Sequence, residues 1–119
     1  MASANKVVLV GNLGHAPSIR YSPDGMVICN VAIATTRKWK DRDTGQPKEE
    51  TEWHRLVMCN RLAEIARDFL NKGRSIYVEG RLNTRKWQEE RTEADRWTTE
   101  VIVGVMQMVD GRPDMGDVA

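Results

Sequence analysis

The stretch TEWHRLVMCNRLAEIARDFLNKG (residues 51–73) changes its period halfway, and that change decides the fold. From Thr51 to Asn60 the side chains alternate, as in a strand. Thr51, Trp53, Arg55, Val57 and Cys59 share one face; Glu52, His54, Leu56, Met58 and Asn60 share the other. Beyond Asn60 the spacing turns helical, with Leu62, Ile65, Ala66, Phe69 and Leu70 on one stripe. Asn60 is the expected N-cap, and Gly73 the expected stop after Asn71 and Lys72. A short amphipathic helix of about three turns therefore follows directly on a strand.

Working outward, Lys6–Leu13 is β-branched and apolar and stops at Gly14. A strand apolar on both faces is either central or buried in an interface. Pro17, Ser22, Pro23, Asp24 and Gly25 punctuate the next stretch, and YSPDG (residues 21–25) suits a tight turn. Met26–Thr36 reads as a second strand. Arg37–Glu49 is polar, contains Gly45 and Pro47, and reads as a long exposed hairpin loop. Past the helix, Ser75–Trp87 alternates again, with Ile76, Val78, Leu82 and Thr84 on one face and Tyr77, Glu79, Arg81, Asn83, Arg85 and Trp87 on the other. Gly80 in its middle predicts a bend or bulge. Gln88–Asp95 reads as a charged hairpin tip and Trp97–Met108 as the last strand. Strands thus number three before the helix and two after it. That order predicts an all-β, five-stranded OB-fold barrel with one short α-helix between strands 3 and 4 and long β-hairpin loops. The barrel is expected to span residues 1–109, and residues 110–119, with Gly111, Pro113 and Gly116, to form a disordered tail stub.

The chain of 119 residues is long enough to bury one core without disulfides or a structural metal. Its formal net charge of +1 gives no support to nucleic-acid binding, so any such case must rest on where the charges sit. Cys29 and Cys59 lie in apolar runs and read as free thiols of a reducing cytosol. Met1–Lys6 lacks the basic stretch of a signal peptide, and no apolar run approaches the ~20 residues of a membrane span. A soluble, cytoplasmic protein is expected.

The tryptophans carry the functional reading. Trp39 lies in RKWK (residues 37–40), Trp87 in RKW (residues 85–87), and Trp53 shares a strand face with Arg55. Bases of a single strand stack on flat rings at ~1–3 kcal/mol each, whatever the base. Lys and Arg beside them neutralise phosphates and release counterions. Charge is segregated accordingly: Arg37, Lys38, Lys40, Arg42 and Lys48 cluster in one segment, and Arg81, Arg85 and Lys86 in another. Glu89, Glu90, Glu93 and Asp95 collect elsewhere. A tryptophan in a small barrel is often core, and that alternative stands for Trp53 and Trp97. The coincidence of three Trp–cation pairs favours single-strand binding without a cofactor or catalysis. His15, Cys29, His54 and Cys59 lack the spacing of a zinc site. Asp41, Asp43, Glu49, Glu50 and Glu52 read as a solvated loop rather than a nuclease metal cluster.

Several motifs then become familiar. NKVVLVGNLG (residues 5–14), EWHRLV (52–57), Lys72-Gly73, YVEG (77–80), TRKW (84–87), TTE (98–100) and MQM (106–108) resemble those of the bacterial single-stranded DNA-binding protein family. The similarity covers nearly the whole chain, Met1 to Val109. It implies an OB-fold, a homotetramer and single-stranded DNA wrapped around it, serving replication, recombination and repair near the nucleoid. The family's stacking tryptophans fall on Trp39, Trp53 and Trp87. Its DNA-path cations fall on Lys6, Arg55, Arg61, Lys72, Arg85 and Lys86, to which the basic runs add Arg37 and Arg81. Its interface histidine falls on His54, and we assign Val8, Val10 and Tyr77 to the same oligomer interface. Of these motifs, EWHRLV and TRKW argue against a primosomal accessory barrel or an RNA-binding barrel, and the Trp–cation pairs, which would have no purpose there, argue against a purely structural oligomer.

Three departures are visible. Cys59 stands where a stacking phenylalanine is common, and Asn83 where a basic residue is common. The family usually ends in a Gly/Gln/Pro-rich linker and an acidic tip, closing with Pro-Phe, that recruits replication and repair proteins; here the sequence ends in GDVA (residues 116–119). That ending fits a truncated sequence or a short specialised member equally, and recruitment of replication and repair proteins through such a tip stays open between them.

Overall fold

The computed structural model describes residues 1–109, so the expected tail stub at 110–119 lies outside the described residues. Along the chain run β1 (Val7–Leu13), β2 (Ser18–Tyr21), β3 (Val27–Lys40), β4 (Pro47–Cys59), α1 (Arg61–Phe69), β5 (Ser75–Gln88) and β6 (Asp95–Met108). The order β1–β5–β6–β4–β3 closes on itself where Asn12 and Leu13 of β1 pair with Ala34 and Ile33 of β3. The β4–β6 seam is parallel, with Leu56 opposite Val101. This is the closed five-stranded OB-fold barrel that the order of elements predicts, its helix between β4 and β5. β2 adds a short strand along β3, pairing Ile19 with Cys29 and Tyr21 with Val27. It goes unread in the sequence because its four residues are too few for alternation to show and sit between turn formers.

Alternation fills the barrel. β3 buries Val27, Cys29, Val31 and Ile33; Leu56, Met58, Ile76, Val78, Val101 and Val103 face them from the other strands. Helix α1 adds Ala63, Ala66 and the following Leu70 to this core. Its stripe differs from the expected one: Ala63 is buried and Phe69 is exposed. Small alanines let the helix approach the strands closely, where a ring would overfill the space. Asn60 occupies the N-cap position, but its side chain makes no capping bond. It serves instead through its backbone, at φ 57°, a conformation asparagine tolerates better than most residues. Gly73 is not the helix stop. The helix ends at Phe69, and Gly73 sits in a later turn, donating its N–H to the Leu13 carbonyl at 2.8 Å.

The polar stretch expected as a loop is mostly strand. Pairing of β3 with β4 continues from Arg37–Glu50 to Lys40–Pro47, leaving a tip of residues 41–46. β5 and β6 likewise pair out to Gln88–Asp95. These two hairpin arms expose both faces, so both faces are polar and no apolar period marks them as strands. Cross-strand charges join them, Arg37 to Glu50 at 3.2 Å and Lys86 to Asp95 at 3.3 Å. The irregularity expected at Gly80 is present: pairing steps from Glu79–Val105 to Gly80–Val103, so the extra residue is Gly104 on β6. A β-carbon on Gly80 would lie 2.2 Å from the Ile102 carbonyl oxygen, a close approach that only glycine permits. Leu82, expected on the buried face, is exposed where β5 runs out into its arm.

Candidate nucleic-acid interface

Leu56 and Val101 lie side by side and both point into the core. Their chain neighbours Arg55 and Glu100 therefore both turn outward. A shallow cleft of about 360 Å³ forms there, shared by Arg55, Glu100, Arg85, His15, Asn30 and Ser18. Arg85 donates from Nε to Oε1 of Glu100 at 3.0 Å. The His15 ring is held in one tautomer: Nδ1–H donates to the Ala16 carbonyl at 2.7 Å, and Nε2 accepts the Ala32 N–H at 3.2 Å. A second cleft continues past Arg55 and Glu100 to Trp53, Leu82 and Thr99. Trp53 is 58% exposed and packs against the backbone of Gly14, which excludes the core alternative. Cys59 lies on the same face of β4, half-buried, and supplies no ring. Asn83 pairs directly opposite Glu100.

The other indoles sit on the arms. Trp39 is exposed on β3, with the Arg37 guanidinium 4.3 Å above its ring. Trp39 pairs with Lys48, and Trp53 pairs with Ala34, so strand alternation puts the two rings on opposite faces of this hairpin. Trp87 is exposed on β5, on the Arg85 side of the pleat, and its Nε1–H donates to Thr98 Oγ1 at 2.8 Å. Trp97 is exposed as well, opposite Lys86, whose Nζ lies 5.7 Å from its ring centroid. The core reading of Trp97 does not hold.

The remaining predicted cations are distributed. Lys6 sits 3.7 Å from Glu79, on the face of β1 that carries Val8 and Val10 rather than in the cleft. Arg61 opens helix α1 and lies 3.8 Å from Glu64. Lys72 and Arg81 are exposed, one in the turn after the helix, the other on β5. Val8 and Val10 are exposed beside half-buried Tyr77, whose hydroxyl donates to Glu79. That bond, with Lys6 next in effect, holds the Glu79 carboxyl below its ordinary range. Val105 of β6, opposite Glu79, extends this apolar patch and was missed in the sequence. His54 is half-buried and hydrogen-bonded through Nε2 to the Thr35 hydroxyl at 2.9 Å. Glu100 and His15 were also missed as groove residues. Only the pairing of β4 with β6, and of the β1–β2 connection with β3, brings them beside Arg55.

Cys29 is buried inside the barrel, which pushes its thiol up to about 11. Among the described residues, no group of three or more His, Cys, Asp or Glu is placed to hold a metal ion. No helix among them is long and apolar enough to cross a membrane.

A closed five-stranded barrel with its helix between β4 and β5, and with indoles and guanidiniums gathered on its outer face, defines an OB-fold protein. The model of the single-strand binding protein family matches residues 4–109, and the chain belongs to that family. Among solved structures it is similar to the Plasmodium falciparum SSB in complex with single-stranded DNA, at 32% identity and a TM-score of 0.84, over 92% of this chain and 98% of that one.

Proposed function

We propose that this protein binds single-stranded DNA with little sequence preference, and coats and protects it during replication, recombination and repair. The observation that carries the reading is that Trp53, Arg55 and Arg85 line two adjoining outer clefts that share Arg55 and Glu100. Membership of the single-strand binding family and the likeness to an SSB solved with single-stranded DNA support it. Bases stack on Trp53 and Trp87, and on Trp39 where the strand passes along the outer arm. Arg55 and Arg85 meet the strand in the groove. Arg37, Arg61, Lys72, Arg81, Lys86 and Lys6 extend the phosphate path around the barrel. The action is passive: unpaired strands are captured and hairpins melt by mass action, with no bond made or broken and no cofactor required.

The working form is a homotetramer. Val8, Val10, Tyr77 and Val105 present an apolar patch that the monomer leaves in water, and His54 anchors a second contact. The setting is the cytoplasm, at the nucleoid.

Titration of tryptophan fluorescence with oligo-dT, a matching RNA and a matching duplex, at low and high salt, tests the reading. Quenching by dT that exceeds the other two and weakens with salt is expected. Absence of quenching by all three would mean that the exposed indoles meet no bases, and the proposal would fall.

A further inference from the structure

The basic groove contains one acid, Glu100, and its placement differs from that of every other ion pair among the described residues. Its side chain is 10% exposed, whereas that of its partner Arg85 is 57% exposed. The remaining described pairs join two side chains that are each at least about one third open to water, as in Arg37–Glu50 at 69% and 54% or Lys86–Asp95 at 58% and 48%. A buried carboxylate that loses its counter-charge pays a large desolvation cost, whereas an exposed guanidinium does not. Arg85 is therefore held by Nε, its terminal N–H groups make no hydrogen bond among the described residues, and its side chain lines the cleft. Asn83, which faces Glu100 on β5, is uncharged, and Arg55, which lines the same cleft, forms no ion pair with Glu100 among the described residues.

We infer that Glu100 is a positioning residue that fixes Arg85 in the groove and cancels its charge, so that Arg85 binds the strand by directed hydrogen bonds and not by counterion release. The inference rests on the single-strand reading above. It separates two cations that share one cleft: Arg55, which has no carboxylate partner among the described ion pairs, acts as a charge, and Arg85 acts as a shaped donor. The arrangement gives the groove grip that persists as salt rises.

The salt dependence of oligo-dT binding distinguishes these roles, since each phosphate charge neutralised on a single strand contributes about 0.7 to the slope of log K against log salt. Wild type, Arg55→Ala, Glu100→Gln and the double variant Arg85→Ala/Glu100→Gln are titrated by tryptophan quenching over a series of salt concentrations. Arg55→Ala is expected to make the slope shallower by about 0.7, and Glu100→Gln to make it steeper by about 0.7, as Arg85 is released to act as a full cation. The double variant replaces a neutral pair with neutral side chains, so its affinity falls while its slope stays at the wild-type value. It also keeps the test sharp if Glu100→Gln alone fails to fold. A Glu100→Gln slope equal to wild type, or a double-variant slope shallower by about 0.7, overturns the inference while a lowered Arg55→Ala slope leaves the single-strand reading intact. If neither Arg55→Ala nor Glu100→Gln moves the slope, no phosphate crosses this groove, and both readings fall.

Discussion

Trp53 packs so closely on Gly14 that a β-carbon at Gly14 would stand 2.4 Å from Cζ3 of the indole. The turn leaving β1 thus forms the seat of a ring on β4, and the absence of one side chain sets where that ring lies. Gly14→Ala should push the indole off its seat without unfolding the barrel, since the clash is with the far end of a side chain. The expected outcome is an unchanged melting transition, a shifted Trp emission in the free protein, and weaker oligo-dT binding. A variant that binds like wild type would show that the position of Trp53 over Gly14 is immaterial to binding.

The three stacking candidates should not behave alike. Trp53→Ala and Trp87→Ala are each expected to weaken binding by ~1–3 kcal/mol, if one base stacks on each ring. Trp39 lies on the opposite face of its hairpin from Trp53. Its replacement should spare oligonucleotides that fill only the groove and weaken longer ones that reach the outer arm. Equal losses on short and long oligonucleotides would contradict this division.

Assembly should depend on the patch around β1 and on His54. Val10→Glu places a charge among Val8, Tyr77 and Val105. His54→Tyr removes the bond to Thr35 and enlarges the side chain. If the protein assembles as the proposed tetramer, both variants are expected to shift it toward smaller species on dilution in sedimentation experiments. A tetramer unchanged by Val10→Glu would remove β1 from the interface.

The two thiols should separate chemically. Cys29 is buried with its thiol pushed up to about 11, and Cys59 is half-buried on the outer face. Alkylation at mildly alkaline pH should label Cys59 first and Cys29 only on unfolding. Because the folded-state value of Cys29 lies above its ordinary 9.0, the unfolded chain ionises first as pH rises. Its contribution to stability is therefore complete below about pH 9 and is lost as the pH climbs through about 11. Urea midpoints that fall over this window in wild type, and fall less in Cys29→Ala, would match. Identical profiles would not.

The barrel was legible because its strands bury one face, so Val31, Ile33, Leu56 and Met58 announce themselves by period. The arms were not, because Arg37–Lys40 and Pro47–Glu50 pair with both faces in water and follow no apolar rhythm. Turn residues concealed β2 in the same way. Exposed indoles could be picked out from their cationic neighbours, and Trp53, Arg55 and Arg85 line adjoining clefts on the outer face of the barrel. Glu100 and His15 could not be picked out. Each is unremarkable in its own segment and gains a role only through the strand beside it.

The paired arms also bear on how such a protein can change. Neither hairpin contributes side chains to the buried core, so either can be lengthened or trimmed with little disturbance to the barrel. Strand alternation restricts the steps. An insertion of one residue in each strand turns the outer indole to the other face, and an insertion of two restores it farther out. Reach along a bound strand can therefore vary between relatives in pleat-sized increments, with the barrel that carries the groove left untouched.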